Sequence, residues 1–230
     1  MSQILLVSGT DTGVGKTYVA CALVEGLVMR GREVGVCKPV ESGVDGGPHP
    51  NTFPVGSDAE LLAAAAGGAQ PVEQVLPWAL SLPAAPSAAA RVEAQAIDTQ
   101  ALVAHVRELA AQHDVLVVEG AGGLLVPIAP GFNYLDLARE LGAQLLLVAR
   151  TGLGTLNHTA LSVAAARAAD VPVIGVVLNA VDGPVSPSDR ENLAELPALV
   201  DAPILAELPH AEPPEPAESW IDEVLEALLG

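Results

Sequence analysis

Residues 9–17 read Gly9-Thr10-Asp11-Thr12-Gly13-Val14-Gly15-Lys16-Thr17, between the apolar run Gln3–Ser8 and an Ala/Val/Leu-rich stretch over Lys16–Arg30. A short β-branched run, a glycine-rich turn and then a stretch of helical period form the context a phosphate loop requires. Glycines let the chain curl so that successive amides face an anion. The N-terminus of the next helix adds positive potential, Lys16 reaches terminal phosphates and Thr17 offers a hydroxyl to magnesium. The loop is a variant. The common spacing G-x-x-x-x-G-K-[ST] puts its first glycine where Thr10 stands, and here the glycine is Gly9, one residue earlier. A tight turn that merely carries Lys-Thr is the bland alternative, and the strand-then-helix setting argues against it.

Outward from this loop, short β-branched runs alternate with longer helical-period stretches. Strands are expected at Gln3–Ser8, Glu33–Lys38, Asp114–Glu119, Ala143–Ala149, Val173–Asn179 and Ile204–Glu207. Helices are expected at Lys16–Arg30, Ser57–Ala66, Asp98–Gln112, Tyr134–Leu141, Thr155–Ala169, Asp189–Leu199 and Ser219–Leu228, with Ser57 and Asp98 as N-caps. Such alternation implies an α/β fold: a mostly parallel sheet with helices on both faces, P-loop NTPase-like, in a single domain over residues 1–230. Gly43–Gly56 and Gly67–Ser87 break the rhythm. In the second, Pro71, Pro77, Pro83 and Pro86 predict irregular structure, inserted between elements of one sheet. His210–Glu218, with Pro213, Pro214 and Pro216, reads as a loop before the last helix.

Charge excludes several classes. The 230 residues carry 28 acidic against 10 basic side chains, a net charge of -18, so no broad basic surface exists for nucleic acid or anionic membranes. Aromatic residues make up only 3%, too few for a base-stacking platform. Cys21 and Cys37 belong to no CxxC or Cys/His cluster and suit a reduced cytoplasm. The chain opens on Ile4-Leu5-Leu6-Val7 without a basic leader, and no apolar run approaches the roughly 20 residues of a membrane span. Secretion and membrane insertion are not expected.

Two carboxylates and a lysine join the phosphate loop. Val115–Gly123 places Glu119 at the C-terminal end of a buried strand, the edge at which such sheets bind ligands. Asp58 follows the N-cap Ser57; magnesium prefers oxygen ligands and often takes one or two carboxylates plus phosphate oxygens, although an acidic residue in a first helical turn also simply suits the helix dipole. Lys38, in Cys37-Lys38-Pro39-Val40-Glu41-Ser42-Gly43, ends the second strand on the same edge. It is either a solvated strand end or a charge that stabilises a transferring phosphoryl group.

Gly9–Thr17, Lys38-Pro39-Val40 with Ser42-Gly43, Ser57-Asp58-Ala59, Val118–Gly123 and Gly152-Leu153-Gly154-Thr155-Leu156-Asn157-His158, in this order, resemble dethiobiotin synthetase over most of the chain. The resemblance implies an ATP-dependent cyclo-ligase. It carboxylates diaminopelargonic acid with carbon dioxide, phosphorylates the carbamate and closes a cyclic urea. It further implies that Gly13, Val14, Gly15, Lys16, Thr17 and Tyr18 hold the ATP phosphates, with Gly120, Ala121 and Gly122 also on the nucleotide, and that Thr17, Asp58 and Glu119 hold magnesium. Thr12, Lys16 and Lys38 are then catalytic, and Ser42 contacts substrate. Adenine falls to Asn179, Ala180, Pro209, His210 and Ala211, and the ribose to Glu215 or Glu212. Thr155, Leu156 and Asn157 would bind the substrate's carboxylate tail across the interface of a homodimer. Two positions depart from the family: Ser87, where it often has histidine, and Gly13, where it can have glutamate. His158 reads as an ordinary polar residue near a helix start.

Two rival classes share the loop. A partitioning-type switch ATPase uses nucleotide to control dimerisation and a partner, but carries a second lysine early in the loop, where this chain has Asp11, and needs a basic or amphipathic face that the -18 charge opposes. A catalytically silent nucleotide-binding module would have no need of Lys38 and Glu119 together.

Overall fold

The structure is a computed structural model that describes residues 2–44, 56–210 and 219–229. Its elements run β1 (Gln3–Gly9), α1 (Lys16–Met29), β2 (Val34–Cys37), β3 (Val40–Ser42), α2 (Asp58–Ala65), α3 (Val72–Val75), β4 (Trp78–Leu80), α4 (Pro86–Val92), α5 (Thr99–Ala110) and β5 (Val115–Gly123). They continue as β6 (Pro127–Ala129), β7 (Phe132–Asn133), α6 (Tyr134–Leu141), β8 (Gln144–Arg150), α7 (Thr155–Ala168), β9 (Val173–Asn179), α8 (Pro187–Leu199), β10 (Ile204–Leu208) and α9 (Ser219–Leu229).

Six strands form one sheet in the order β10-β9-β8-β1-β5-β2, with every described pair parallel. The alternation read from the sequence is therefore real, and each expected strand and long helix is present. Successive residues of each strand feed opposite cores. Leu5 and Val7 pack with Val117 and Val148 against Val19 and Leu23 of α1, Leu62 of α2 and Ile221 of α9. Leu6, Leu116 and Val118 pack on the other face against α5 and α6. Leu147 and Val176 extend that second face under α7 and α8. Burial on both faces is why these strands are almost wholly apolar.

The prediction of irregular structure over Gly67–Ser87 is wrong. It holds α3, β4 and the start of α4, and β4 pairs in parallel with β3. The prolines sit where their missing N–H costs nothing: Pro71 is the N-cap of α3 and Pro86 opens α4. This segment also covers the outer edge of β2. The Gln70 side chain accepts from Val36 N at 3.1 Å and donates to Val36 O at 2.9 Å, and Lys38 N donates to Val75 O at 2.8 Å. The exposed edge of a sheet is thereby paired. Helix α8 begins two residues before the expected Asp189, capped by a reciprocal Ser186–Asp189 box. Most of Gly43–Gly56 and of His210–Glu218 lies outside the described residues.

β1 neighbours β8, and the connections that leave these two strands run in opposite directions along the sheet, from β1 toward β2 and from β8 toward β9. Ligands of open α/β sheets bind beyond the strand ends at such a switch point. The 9–17 loop leaves β1 there.

Candidate active site

The loop's geometry depends on two glycines. A Cβ at Gly9 would lie 2.7 Å from the Asp11 carbonyl oxygen and 2.8 Å from the Val14 side chain, so the displaced first glycine serves the tight turn from its new place. Gly15 has φ +86°, and a Cβ there would come within 2.2 Å of Asn179 Nδ2. An L side chain there would be strained by the positive φ and would have to displace the Asn179 carboxamide. Asn179, at the end of β9, is buried and donates from Nδ2 to Val14 O at 3.1 Å, bracing the loop from a strand two positions away in the sheet.

A cavity of about 620 Å³ opens beyond the strand ends, lined by Thr12, Gly13, Gly15, Lys16, Thr17, Lys38, Ser42, Asp58, Glu119, Ala121 and Gly122, with Glu41, Val126 and residues 83–86 completing the wall. Segments far apart in sequence thus meet at one site. Lys38 is 2% exposed and Glu119 is 0% exposed. Lys38 Nζ lies 2.6 Å from Asp58 Oδ2 and 2.5 Å from Glu119 Oε1. Thr17 Oγ1 donates to the same Glu119 oxygen at 2.9 Å. Lys16 Nζ donates to Asp11 O at 3.2 Å.

Burial would strip Lys38 of its proton, but Glu119 and Asp58 outweigh it and hold its pKa above the ordinary lysine value. Lys16 goes the other way: burial, then the neighbouring Lys38 charge, lowers its pKa. Burial pushes Asp58 up, but Lys38, the Thr17 hydroxyl and Lys16 together hold it below the usual carboxylate value. The site thus presents two lysines, one clamped as a cation and one poised for an anion. The oxygen set of Thr17, Asp58 and Glu119 fits magnesium. Glu119 Oε2 is buried without a hydrogen-bond partner, an acceptor that a bound cation would satisfy.

Comparison with known proteins shows the family. Residues 3–218 match the protein-family profile described as AAA domain. The ATP-dependent dethiobiotin synthetase BioD of Anaeromyxobacter dehalogenans is 47% identical over 206 residues, 89% of each chain. That of Aquifex aeolicus is 42% identical over 179 residues, 78% of this chain and 77% of its own. That of Bacillus velezensis is 34% identical over 203 residues, 88% of this chain and 84% of its own. The chain belongs to the dethiobiotin synthetase family.

Not every residue singled out by the resemblance to that family lines the main cavity. Val14 is buried beneath the loop. Gly120 packs against the Tyr134 ring, which a Cβ would approach to 3.3 Å. Tyr18 lies on a separate groove with Thr17, Cys21, Glu25 and Leu61. Ala180 and His210 form one turn, with His210 Nδ1 2.8 Å from Ala180 O and Ala180 N donating to Leu208 O at 3.1 Å; Pro209 lies within it. Ala211, Glu212 and Glu215 lie outside the described residues. Thr155, Leu156 and Asn157 open α7 behind the left-handed N-cap Gly154, outside this chain's main cavity.

Three features escaped the sequence reading. His158 borders a second cavity of about 420 Å³ shared with Thr10–Thr12 and residues 123–127. Arg150 bridges Asp11 at 3.1 Å and Asp182 at 3.5 Å. Glu41 enters the site wall. Each depends on contacts between distant segments, for which a single sequence offers no signal.

Proposed function

We propose that this chain is an ATP-dependent cyclo-ligase that converts diaminopelargonic acid and carbon dioxide to dethiobiotin, with ADP and phosphate as co-products. The observation that carries the reading is the buried Lys38 ammonium between Asp58 and Glu119 at the mouth of the phosphate loop. Membership of the family supplies the substrates. One amine of the diamine adds to carbon dioxide, losing a proton to give a carbamate. A carbamate oxygen attacks the γ-phosphorus of ATP and ADP leaves. The second amine then attacks the carbonyl carbon of the mixed anhydride, expels phosphate, loses its proton and closes the urea.

In this scheme Gly13 to Tyr18 cradle the phosphates, with Gly120, Ala121 and Gly122 alongside. Lys16 and Lys38 hold positive charge where phosphoryl oxygens gather it, and Thr12 and Ser42 orient the carbamate end of the substrate. The protein's share is thus alignment and electrostatics. Thr17, Asp58 and Glu119 would hold magnesium, whose charge would offset that of the phosphoryl oxygens. Asn179, Ala180, Pro209 and His210 would receive the purine, with Ala211 and Glu215 extending that side.

The enzyme acts as a homodimer in the cytoplasm, the partner copy's Thr155–Asn157 segment holding the substrate carboxylate at a helix N-terminus. The segment's position outside its own chain's cavity supports this. Incubation with diaminopelargonic acid, bicarbonate, ATP and magnesium should yield dethiobiotin, and folded protein that forms none would refute the assignment. Mixing inactive Lys16→Ala chains with inactive chains disrupted at Thr155–Asn157 should restore roughly one quarter of wild-type activity, because half the re-associated dimers carry one intact site of two. A silent mixture with demonstrated subunit exchange would assign Thr155–Asn157 to its own subunit or to no site.

A further inference from the structure

Helix α2 is only eight residues long, a length that is marginal without outside support. Its first three helical N–H groups all end on side-chain oxygens. Ser57 Oγ accepts from Glu60 N at 3.2 Å. Glu41 takes the other two: Oε1 accepts from Asp58 N at 2.9 Å and Oε2 from Ala59 N at 3.3 Å. A carboxylate from β3, 17 residues earlier in the chain, therefore does what a local cap cannot.

The placement is peculiar electrostatically. Glu41 brings a third acidic side chain to the wall of a cavity that must take up a polyanion and already holds Asp58 and Glu119. A repulsive charge there calls for a compensating role, and its contacts show one. Lys38 and Glu41 lie on one short stretch of chain and grip the same residue from two sides, Lys38 the Asp58 carboxylate at 2.6 Å and Glu41 the Asp58 amide at 2.9 Å. The backbone of Asp58 is thus fixed relative to Lys38 without use of its own side chain. That leaves the carboxylate to face Lys38 and the loop.

We propose that Glu41 is a positioning residue for the divalent cation: it fixes the start of α2 so that Asp58 presents its carboxylate to the metal, acting through the backbone and touching neither metal nor nucleotide. This rests on the reading of Asp58 as a magnesium ligand. Partners that orient a metal ligand typically govern affinity by about 10- to 100-fold.

The test is Mn2+ binding to ADP-saturated protein, followed by loss of the free-ion electron paramagnetic resonance signal, for wild type, Glu41→Ala, Glu41→Gln and Asp58→Asn. Glu41→Ala should weaken Mn2+ by about 10- to 100-fold. Glu41→Gln keeps one acceptor oxygen and should fall between Glu41→Ala and wild type. ADP affinity measured in excess chelator should stay within about twofold, which a general loss of structure would not permit. If Glu41→Ala does not fold, Glu41→Gln carries the same comparison. Weak Mn2+ binding by Asp58→Asn alongside normal binding by the Glu41 variants overturns the role of Glu41 and leaves the metal site standing. Normal binding by Asp58→Asn overturns the metal site and the role of Glu41 together. An equal loss of chelator-insensitive ADP affinity in the Glu41 variants also overturns the proposal.

Discussion

Residues 9–17 and the segments 38–44 and 72–92 each send residues to the same cavity, yet they are held by different means. The phosphate loop is a local object: a strand, a turn that excludes Cβ atoms at Gly9 and Gly15, and a helix start, with one outside brace from Asn179. The opposite wall is assembled at a distance. Lys38 takes its backbone partner from Val75, Glu41 caps α2, Val44 N donates to Leu80 O at 3.1 Å, and a Cβ on Gly43 would meet Pro83 at 3.2 Å. A nucleotide end built from local geometry should fail by losing affinity, and a substrate end built from long-range contacts should fail by losing alignment.

The largest effect expected is on turnover. Lys38→Ala removes the cation between Asp58 and Glu119 and should lower kcat by about 100- to 1,000-fold while ATP affinity changes little, since charge that develops in the transition state is worth that much. Lys16→Ala should lose comparable turnover and also weaken ATP, because in the proposed complex its ammonium would meet phosphates before reaction. Steady-state kinetics with a direct ATP titration separates the two. If Lys38→Ala turns over near normally, Lys38 is structural; if Lys16→Ala binds ATP normally, the loop is not a phosphate site. Phosphate release should require the diamine, and release driven instead by a macromolecular partner would revive the switch reading.

Next in size is Gly15→Ala. The substitution places a Cβ in a left-handed conformation and 2.2 Å from Asn179 Nδ2. Left-handed strain alone costs an L residue about 1–2 kcal/mol, and the clash displaces the brace on Val14 as well. ATP affinity should fall by tenfold or more, about 1.4 kcal/mol per decade, with KM for the diamine spared. Isothermal titration with ATP settles it: unchanged affinity would mean the loop yields without cost and is not rigidly local.

The nucleotide half was the more legible because its signals are near in sequence. Gly9–Thr17 between an apolar run and a helical stretch announces β1, the turn and α1 as one unit, and the structure bears those elements out. Glu119 and Lys38 followed from ending buried strands. The substrate wall was hidden by its own composition. Pro71 and Pro86 read as breakers, although each stands at a helix start where proline is tolerated. Glu41 drew no reading from the sequence, because its partners, Asp58 N and Ala59 N, are 17 and 18 residues away.

The two lysines also differ in how they respond to pH. Lys16 has its pKa lowered by burial and then by the Lys38 charge, whereas Lys38 has burial outweighed by Glu119 and Asp58 and ends raised. As pH rises, the group with the lowered pKa loses its proton first. ADP affinity of the free enzyme should therefore weaken on the alkaline side before Lys38 titrates, and Lys16→Arg should move that limb upward, since arginine keeps its charge. An alkaline limb unmoved by Lys16→Arg but abolished in Lys38→Ala would reverse the assignment of the two.

The smallest expected effect tests the substrate wall alone. Ser42 lies on β3 beside Glu41, in the wall that contains Pro83 and Pro86. Its hydroxyl is a neutral group that can exchange one hydrogen bond with the carbamate end of the substrate, a bond worth about 0.5–1.5 kcal/mol net. Because such a bond is present both when substrate binds and when it reacts, its loss is uniform and should appear in KM with kcat nearly unchanged. Ser42→Ala should accordingly raise KM for diaminopelargonic acid by about 2- to 10-fold and leave KM for ATP where it was. The measurement is a pair of substrate titrations on one variant. A rise in KM for ATP of the same size would show that β3 and the phosphate loop move as one body and that the separation into two walls does not hold; a fall in kcat with both KM values intact would place the hydroxyl in the transition state instead.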